Sequence, residues 1–341
     1  MDGQDQAAKE EAASESETLP SIIDKPVPLT ILDDLDWEAH LADHDWTNHR
    51  WGASQLTDQR SKNLAEEGHE EEALVLKLLS AVISMHFRGN LPEPFGPMWQ
   101  DGNRCTPAPQ HLGQLDVQFL QAMAKSARNA WLKARLADVA CVAGPSVGLK
   151  GRGMGEMGAV AAQAYLDHAK EFLAGNESIK AMDSLQCLQR AMHLGWKYRR
   201  KDDAFREDVW MTATNAIDHA INKKRLGIIS TLAEEIIQRQ HSLAGTIAEK
   251  LEKAADSWFG DDQEAVVDNI PSFYKKAARL WHAAKNTARS EACYHKSADA
   301  LIKKLVATDR PWCERTGWQK ALLCFAGTEA TEPKLKSCNR S

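Results

Sequence analysis

The chain has 341 residues, of which 43% are hydrophobic and 26% are charged, and its formal net charge is -6 at pH 7. These values are typical of a soluble globular protein and exclude wholesale disorder. No apolar run approaches the roughly 20 residues of a membrane span, and the acidic start lacks the basic and apolar parts of a signal peptide. We therefore expect a cytoplasmic protein without membrane contact.

The cysteines and the distribution of charge narrow the function classes further. Seven cysteines without a C-x-x-C pair predict reduced thiols and no zinc ribbon. Residues 1–90 hold 19 acidic and 7 basic residues, so the remainder of the chain is mildly basic. A nucleic-acid-binding domain usually has denser Lys and Arg, so this charge permits RNA contact without indicating it.

The N-terminal third is predicted to be a tail followed by a helical domain. Residues 1–29 are predicted to be a disordered acidic tail, because such a composition cannot offset the entropy of ordering. A helical domain is expected over 30–144. Apolar spacing predicts one long helix from Asp58 to Phe87, which Gly68 can divide in two. A proline-rich connector is expected at 90–112.

The most regular stretch follows this connector, in a helix predicted from Gln114 to Ala143. Neither Gly nor Pro interrupts residues 131–143, and apolar side chains recur there at helical spacing. Two charged residues on this stretch, Arg135 and Asp138, lie three positions apart and can form a buried ion pair. The predicted structural core is Trp131, Arg135, Leu136, Asp138 and Val139.

The rest of the chain is predicted to form antiparallel helix pairs over residues 145–326, with a disordered tail at 327–341. A break is expected at Gly144 to Gly158. Helices are then expected at Ala159 to Leu173, Ile179 to Leu194 and Ala204 to Ile221. The aromatic and small residues of Phe273 to Leu305 resemble tetratricopeptide hairpins, although the full 34-residue signature is absent. The predicted fold class is all-α, because no strand pair with a turn signal occurs.

Two motifs suggest a bound cofactor or metal. Residues 153–158 match G-x-G-x-x-G, but a dinucleotide-binding loop follows a strand, and a helix is predicted here. An interhelical loop without a cofactor is expected instead. His40, His44 and His49 have carboxylates nearby, but the Glu of H-E-x-x-H is missing and Trp37 gives this segment a packing role. An exposed polar face without metal is the prediction.

Two further groups of residues are candidates for function. Arg289 and His295 have the spacing of a catalytic pair in a class of all-helical ribonucleases, but Ser290 stands where those enzymes carry Asn, Asp or His. A basic cluster beside Trp196 can contact nucleic acid or an acidic partner, or can simply be a solvated helix end that the helix dipole favours. This cluster consists of Lys197, Arg199, Arg200 and Lys201.

Several segments resemble a known group of proteins. The run Leu132-Lys-Ala-Arg-Leu-Ala-Asp-Val139 is similar to the all-helical N-terminal region of a group of bacterial proteins of unknown function. The resemblance covers about residues 30–310. It is also carried by Pro94 to Met98, Arg104, Pro107, Ala161 to Leu166 and Leu188 to Ala191.

Full-length members of that group carry a downstream domain with an Arg-Asn-x-x-x-His-Gly motif. That domain is similar to one in a eukaryotic endoplasmic-reticulum-membrane-associated RNA degradation protein. In the present chain Arg128 and Asn129 are followed by Ala-Trp-Leu-Lys, and no His-Gly follows. The resemblance therefore implies the helical region without the part that carries chemistry, and it carries over no catalytic residue.

The sequence thus predicts a non-catalytic helical interaction or scaffold module that binds an unidentified protein. The resemblance implies a setting in bacterial stress or phage defence. Two alternatives remain: an RNA-processing ribonuclease that uses Arg289 and His295, and a nucleic-acid-binding module without chemistry. Binding that weakens steeply with salt would favour the second alternative.

Overall fold

The structure is a computed structural model that describes residues 21–42, 50–84, 112–149, 151–174, 181–223, 226–259 and 270–307. Within these ranges the regular structure is helical and contains no strand, which confirms the all-α prediction. None of the helices in the described ranges has the length and apolar character that a bilayer span needs. Residues up to Thr212 form one compact unit and residues from Ala213 form a second.

The first unit begins with two short helices and a helical hairpin. Helices α1 to α4 span Ile31–Asp34, Ala39–Ala42, Arg50–Glu66 and Glu70–Ser84. The hairpin α3–α4 turns at Gly68, whose φ of +90° ends the first helix in a left-handed conformation. The predicted division at Gly68 is thus confirmed, but α3 begins eight residues earlier than expected.

Small serines allow α3 and α4 to pack closely. The Ser54 and Ser80 hydroxyls each donate to the other residue's carbonyl, at 3.0 and 2.7 Å, and the Ser61 hydroxyl donates to the Ala73 carbonyl at 2.6 Å. Because residue numbers rise on one helix as they fall on the other, the helices are antiparallel. These buried hydroxyls have partners, so they cost little when they replace apolar side chains in the interface.

The rest of the first unit is a succession of longer helices. Helices α5 to α8 span Gln114–Ser126, Ala130–Ala143, Arg152–Leu173 and Ala181–Tyr198, with a 3-10 turn at Gly144–Val147. Eleven of the fourteen residues of α6 are buried, so this helix lies in the core, packed against α4, α5 and α7. The chain passes Gly144 without leaving the first unit, because α6 and α7 pack against each other.

Two expectations about helix bounds in this region were wrong. The helix predicted from Gln114 to Ala143 is two helices, since the backbone of Asn129 is extended and its side chain accepts from the Leu132 N–H at 3.0 Å. Asn is a preferred N-cap because its side chain satisfies an N–H that the first turn leaves unpaired. The glycines at 153, 155 and 158 lie inside α7 and not in the predicted interhelical loop.

An N-terminal strap, residues 21–38, lies against these helices. The buried Asp116 carboxylate accepts from the backbone N–H groups of Ile22 and Ile23 at 3.0 and 2.8 Å. The Glu38 carboxylate accepts from the N–H of Arg128 at 2.8 Å, just before α6. Ile23 is completely buried, so residues 21–29, which the sequence assigned to a disordered tail, belong to the folded unit.

The second unit repeats the hairpin arrangement. Helix α9 spans Asp203–Asn222 and contains the division between the units, and α10 to α13 span Leu226–Arg239, His241–Trp258, Ile270–Ala283 and Thr287–Ala307. The Ser290 and Ser297 hydroxyls donate to the carbonyls of Ala278 and Pro271 at 2.9 and 2.7 Å. Helices α12 and α13 are therefore antiparallel and use the same serine contacts as α3 and α4.

Candidate functional site

The centre of the first unit holds a buried carboxylate between three helices. Asp138 on α6 is completely buried and accepts from Arg190 on α8 through Nε at 2.8 Å and Nη2 at 2.7 Å. The Tyr165 hydroxyl on α7 donates to the same carboxylate at 3.1 Å. We call Asp138, Tyr165 and Arg190 the carboxylate centre. It ties α6, α7 and α8 together through residues 27 and 52 positions apart.

The sequence predicted Arg135 as the ion-pair partner of Asp138, but that partner is Arg190. The Arg135 side chain is buried, donates through Nε to the Val82 carbonyl at 3.3 Å and lies 5.9 Å from the Trp131 ring centre. Arg135 thereby links α6 to α4, while Arg190 supplies the charge that Asp138 needs. All five predicted core residues are buried: Trp131, Arg135, Leu136, Asp138 and Val139.

The electrostatics of the carboxylate centre favour a fixed charge pair. Burial lowers the pKa of Arg190, but the charge and hydrogen bonds of Asp138 outweigh it and leave that pKa raised. Burial, aided by the Asp138 charge, holds the pKa of Tyr165 well above its ordinary value. Arg190 therefore stays charged and Tyr165 stays protonated at neutral pH. Neither group is suited to exchanging a proton with a substrate.

A cysteine on α6 and a tyrosine on α8 are in contact with each other beside this centre. The Cys141 thiol lies 3.3 Å from the Tyr198 hydroxyl, and burial raises the pKa of the thiol. A buried, protonated thiol is a poor nucleophile. The Tyr198 ring lies where a side chain at Gly158 would begin, since a Cβ there would be 2.2 Å from a ring carbon. Gly158 therefore serves helix packing.

The predicted basic cluster divides into one structural arginine and three exposed cations. The Arg199 guanidinium donates to Asp202 through Nε at 3.0 Å, hydrogen-bonds to Gln163 and lies 4.2 Å from the Phe205 ring centre. Arg199 therefore fixes the turn between α8 and α9 and is not available for a partner. We call the three other residues the basic end. They are exposed and consist of Lys197, Arg200 and Lys201.

The turn that carries the basic end is rigid for a second reason. Asp202 uses its other carboxylate oxygen to accept from the Phe205 N–H at 2.9 Å, which caps the first turn of α9. The Phe205 ring in turn lies where a Cβ on Gly195 would be, at 2.2 Å. Arg200 donates through Nε to the Trp196 carbonyl at 3.2 Å. The cations are thus presented from a well-packed backbone.

The two residues with ribonuclease-like spacing lie on one helix of the second unit. Six positions of helix α13 separate Arg289 and His295, which places them about 120° apart around the helix and about 9 Å apart along it. The Arg289 guanidinium lies 4.5 Å from the Trp281 ring centre, and His295 is exposed. The contact with Trp281 gives Arg289 a packing role within the second unit.

The second unit contains a polar network that the sequence analysis missed. Lys296 on α13 donates to Glu252 at 3.0 Å and to Asp256 at 2.9 Å, both on α11. From α12, the Tyr274 hydroxyl donates to Asp256 at 2.7 Å and the Trp281 indole donates to Glu252 at 3.1 Å. The network holds three helices together. The four-residue spacing of the two acids was its only signal in the sequence.

The metal hypothesis falls largely outside the described residues. The structure does not test most of this possible site, because four of its residues are not among those described: His44, His49, Asp43 and Asp45. Burial and the nearby Arg60 charge lower the pKa of His40. Within the described parts of the chain, no three His, Cys, Asp or Glu side chains come close enough together to hold a metal ion.

Comparison with known proteins places the first unit in a family. A family model for a domain of unknown function (DUF7380) matches residues 24–207, which is more than half of the chain. No curated protein and no solved structure gives a significant match. The matched residues include the strap from Asp24 onward, the carboxylate centre and the basic end, whereas Arg289 and His295 lie beyond them.

Proposed function

The chain belongs to the DUF7380 family, and we propose that it is a non-catalytic helical interaction module whose basic end holds an acidic segment of a protein partner. The proposal rests on the exposure of three neighbouring cations and on their lack of a carboxylate partner. Lys197, Arg200 and Lys201 are exposed, and none pairs with a carboxylate among the described residues. Several other exposed cations of the unit are paired, such as Lys25 with Glu70, and the exposed cations Lys77 and Arg152 stand singly, whereas the basic end groups three within five positions.

The chemistry of the buried groups supports a role without catalysis. Asp138 and Arg190 neutralise each other in two hydrogen bonds, so neither presents a reactive charge to solvent. The thiols of Cys141 and Cys293 are buried, and burial raises the pKa of each, that of Cys293 to about 12. An activated nucleophile or general base needs the opposite tuning, with a pKa near the operating pH.

The surroundings of the basic end favour a protein over a nucleic acid. Asp203 and Glu207 are exposed shortly after it, so the positive charge is confined to a short stretch of the surface. The neighbouring Trp196 ring packs edge-on against Trp210 at 5.4 Å and so is committed to the fold. A surface that binds single-stranded RNA combines denser positive charge with exposed rings for stacking.

The expected affinity is modest. Exposed ion pairs contribute about 0.2–1 kcal/mol each, so three of them contribute about 0.6–3 kcal/mol. Loss of all three should therefore weaken binding by about 3- to 140-fold, and the interaction should weaken with salt.

The proposal is tested with a triple variant, Lys197→Gln, Arg200→Gln and Lys201→Gln. Binding of a fluorescein-labelled 20-residue polyglutamate peptide is measured by anisotropy at low and high salt. The control changes three other exposed lysines to Gln: Lys77, Lys125 and Lys223. We expect the triple variant to lose affinity by the stated factor and the control to retain it.

Three results would refute the proposal. Equal polyglutamate binding by both variants would show that the basic end is not the site. Tighter binding of a 20-nucleotide single-stranded RNA than of polyglutamate, lost in the same triple variant, would assign the basic end to nucleic acid. Turnover of RNA that requires Arg289 and His295 would replace the interaction module with an enzyme.

A further inference from the structure

The chain carries its own acidic segment next to the folded unit. Residues 1–20 contain a single basic residue, Lys9. We infer that this N-terminal segment occupies the basic end when no partner is bound and competes with the partner for it. This inference rests on the proposed function, because it assigns a second occupant to the same site. The acids of the segment are Asp2, Asp5, Glu10, Glu11, Glu15 and Glu17.

The strap fixes the point from which the acidic segment starts. Asp116 holds the N–H groups of Ile22 and Ile23 at 3.0 and 2.8 Å, and Ile23 is fully buried. The Lys25 ammonium pairs with Glu70 on α4, which fastens the strap a second time. The strap, from which the acidic segment starts, and the basic end thus belong to the same compact unit.

The segment is long enough to reach the basic end. Twenty extended residues span about 65 Å. A folded unit of about 190 residues has a radius of gyration near 16 Å and hence a diameter of about 40 Å. Attachment to the same unit raises the effective concentration of the segment to about the millimolar range. Even weak ion pairs can therefore give substantial occupancy.

The basic end is distinguished by three exposed cations close together, whereas Lys77 and Arg152 are exposed singly and many other cations of the unit are paired. Near the strap, Arg128 already pairs with Asp36 and Glu38 at 2.7 and 3.0 Å. On the far helices, Lys170 pairs with Asp208 at 2.5 Å and Arg199 with Asp202. By contrast, the cations of the basic end lack a carboxylate partner in the described part of the chain and lie within five consecutive positions.

Zero-length cross-linking of the full chain tests where the segment lies. A carbodiimide joins carboxylates to lysine amines that are in direct contact, and mass spectrometry maps the products. We expect links from the acids at positions 10–17 to Lys197 or Lys201 at low micromolar protein, and we expect 0.5 M NaCl to suppress them. Links to other lysines only, or no links from the segment at low salt, would overturn the inference.

Peptide binding tests whether the acidic segment competes with a partner for the basic end. A full-length variant with the six acids of the segment changed to their amides should bind labelled polyglutamate at least 3-fold more tightly than the wild type. The control removes the same six charges elsewhere on the surface and should bind as the wild type does. Its positions are Asp33, Asp34, Glu66, Glu67, Glu71 and Glu291, all exposed.

The outcomes separate this inference from the proposed function. Equal tightening in both variants would indicate a general charge effect and would overturn the inference. Wild-type binding that the amide variant leaves unchanged would overturn the inference and leave the proposed function standing. Cross-links to the basic end without polyglutamate binding by any variant would support the inference and refute an acidic partner in trans.

Discussion

Replacement of Asp138 by Asn should destabilise the first unit severely. The substitution keeps the size of the side chain and an oxygen that can accept from Tyr165, but it removes the charge that faces Arg190. Arg190 would remain charged with its side chain only 18% exposed. Removal of one partner of a buried pair costs about 3–5 kcal/mol, because the other charge is left uncompensated. That is a large fraction of the 5–15 kcal/mol that typically stabilises a fold.

Urea denaturation followed by tryptophan fluorescence measures this cost, and thermal melting should show a midpoint lowered by about 6–20 °C. A surface control is Asp58→Asn, whose partner Lys62 is 62% exposed and which should change stability by less than about 1 kcal/mol. Combining Asp138→Asn with Arg190→Gln should recover much of the loss, since no unpaired charge then remains. A cost below about 1 kcal/mol for Asp138→Asn, or a double variant whose losses simply add, would refute the reasoning.

Three other perturbations test the packing. Gly158→Ala should cost about 1–3 kcal/mol in urea denaturation, because its Cβ would lie 2.2 Å from a tyrosine ring carbon, whereas Gly153→Ala in open space should be neutral or stabilising. Asp116→Asn should speed hydrogen exchange at the Ile23 amide without a matching change in α6. The raised pKa of Cys293, about 12, contributes stability that is complete below the ordinary thiol pKa and is lost as pH rises towards 12. Cys293→Ala should therefore lose less stability than the wild type between pH 9 and 11, measured by denaturation, and an equal loss would contradict the assignment.

Local patterns in the sequence predicted the helices well. Apolar spacing and the absence of strand signals gave the all-α class, and Gly68 was recognised as a point where a helix can end. One error occurred where a helix cap interrupts a continuous apolar pattern. Asn129 precedes an apolar run and ends the continuity of the predicted helix by capping the next one. A search for N-cap residues inside the long apolar pattern would have found this break.

The same reasoning could not identify ion-pair partners that lie far apart in the sequence. The sequence singled out Asp138 but offered Arg135 as its partner, because Arg135 is the nearest cation on the same helix. Arg190 lies 52 positions away, and only the packing of α8 against α7 brings it to the carboxylate. The four bases at 197–201 likewise look alike in sequence. Asp202, Gln163 and Phe205 single out Arg199, and all three lie outside helix α8.

The extent of the family match bears on which surface to test first. The matched residues end at Glu207, four positions after the start of α9 and five before the first compact unit ends at Thr212. A property of the matched domain therefore resides in the first unit. Arg289 and His295 lie outside it, whereas the basic end and the Arg199–Asp202 turn that supports it lie inside. If polyglutamate binding depends on the basic end in this chain, the same turn and exposed cations become the feature to examine in other members.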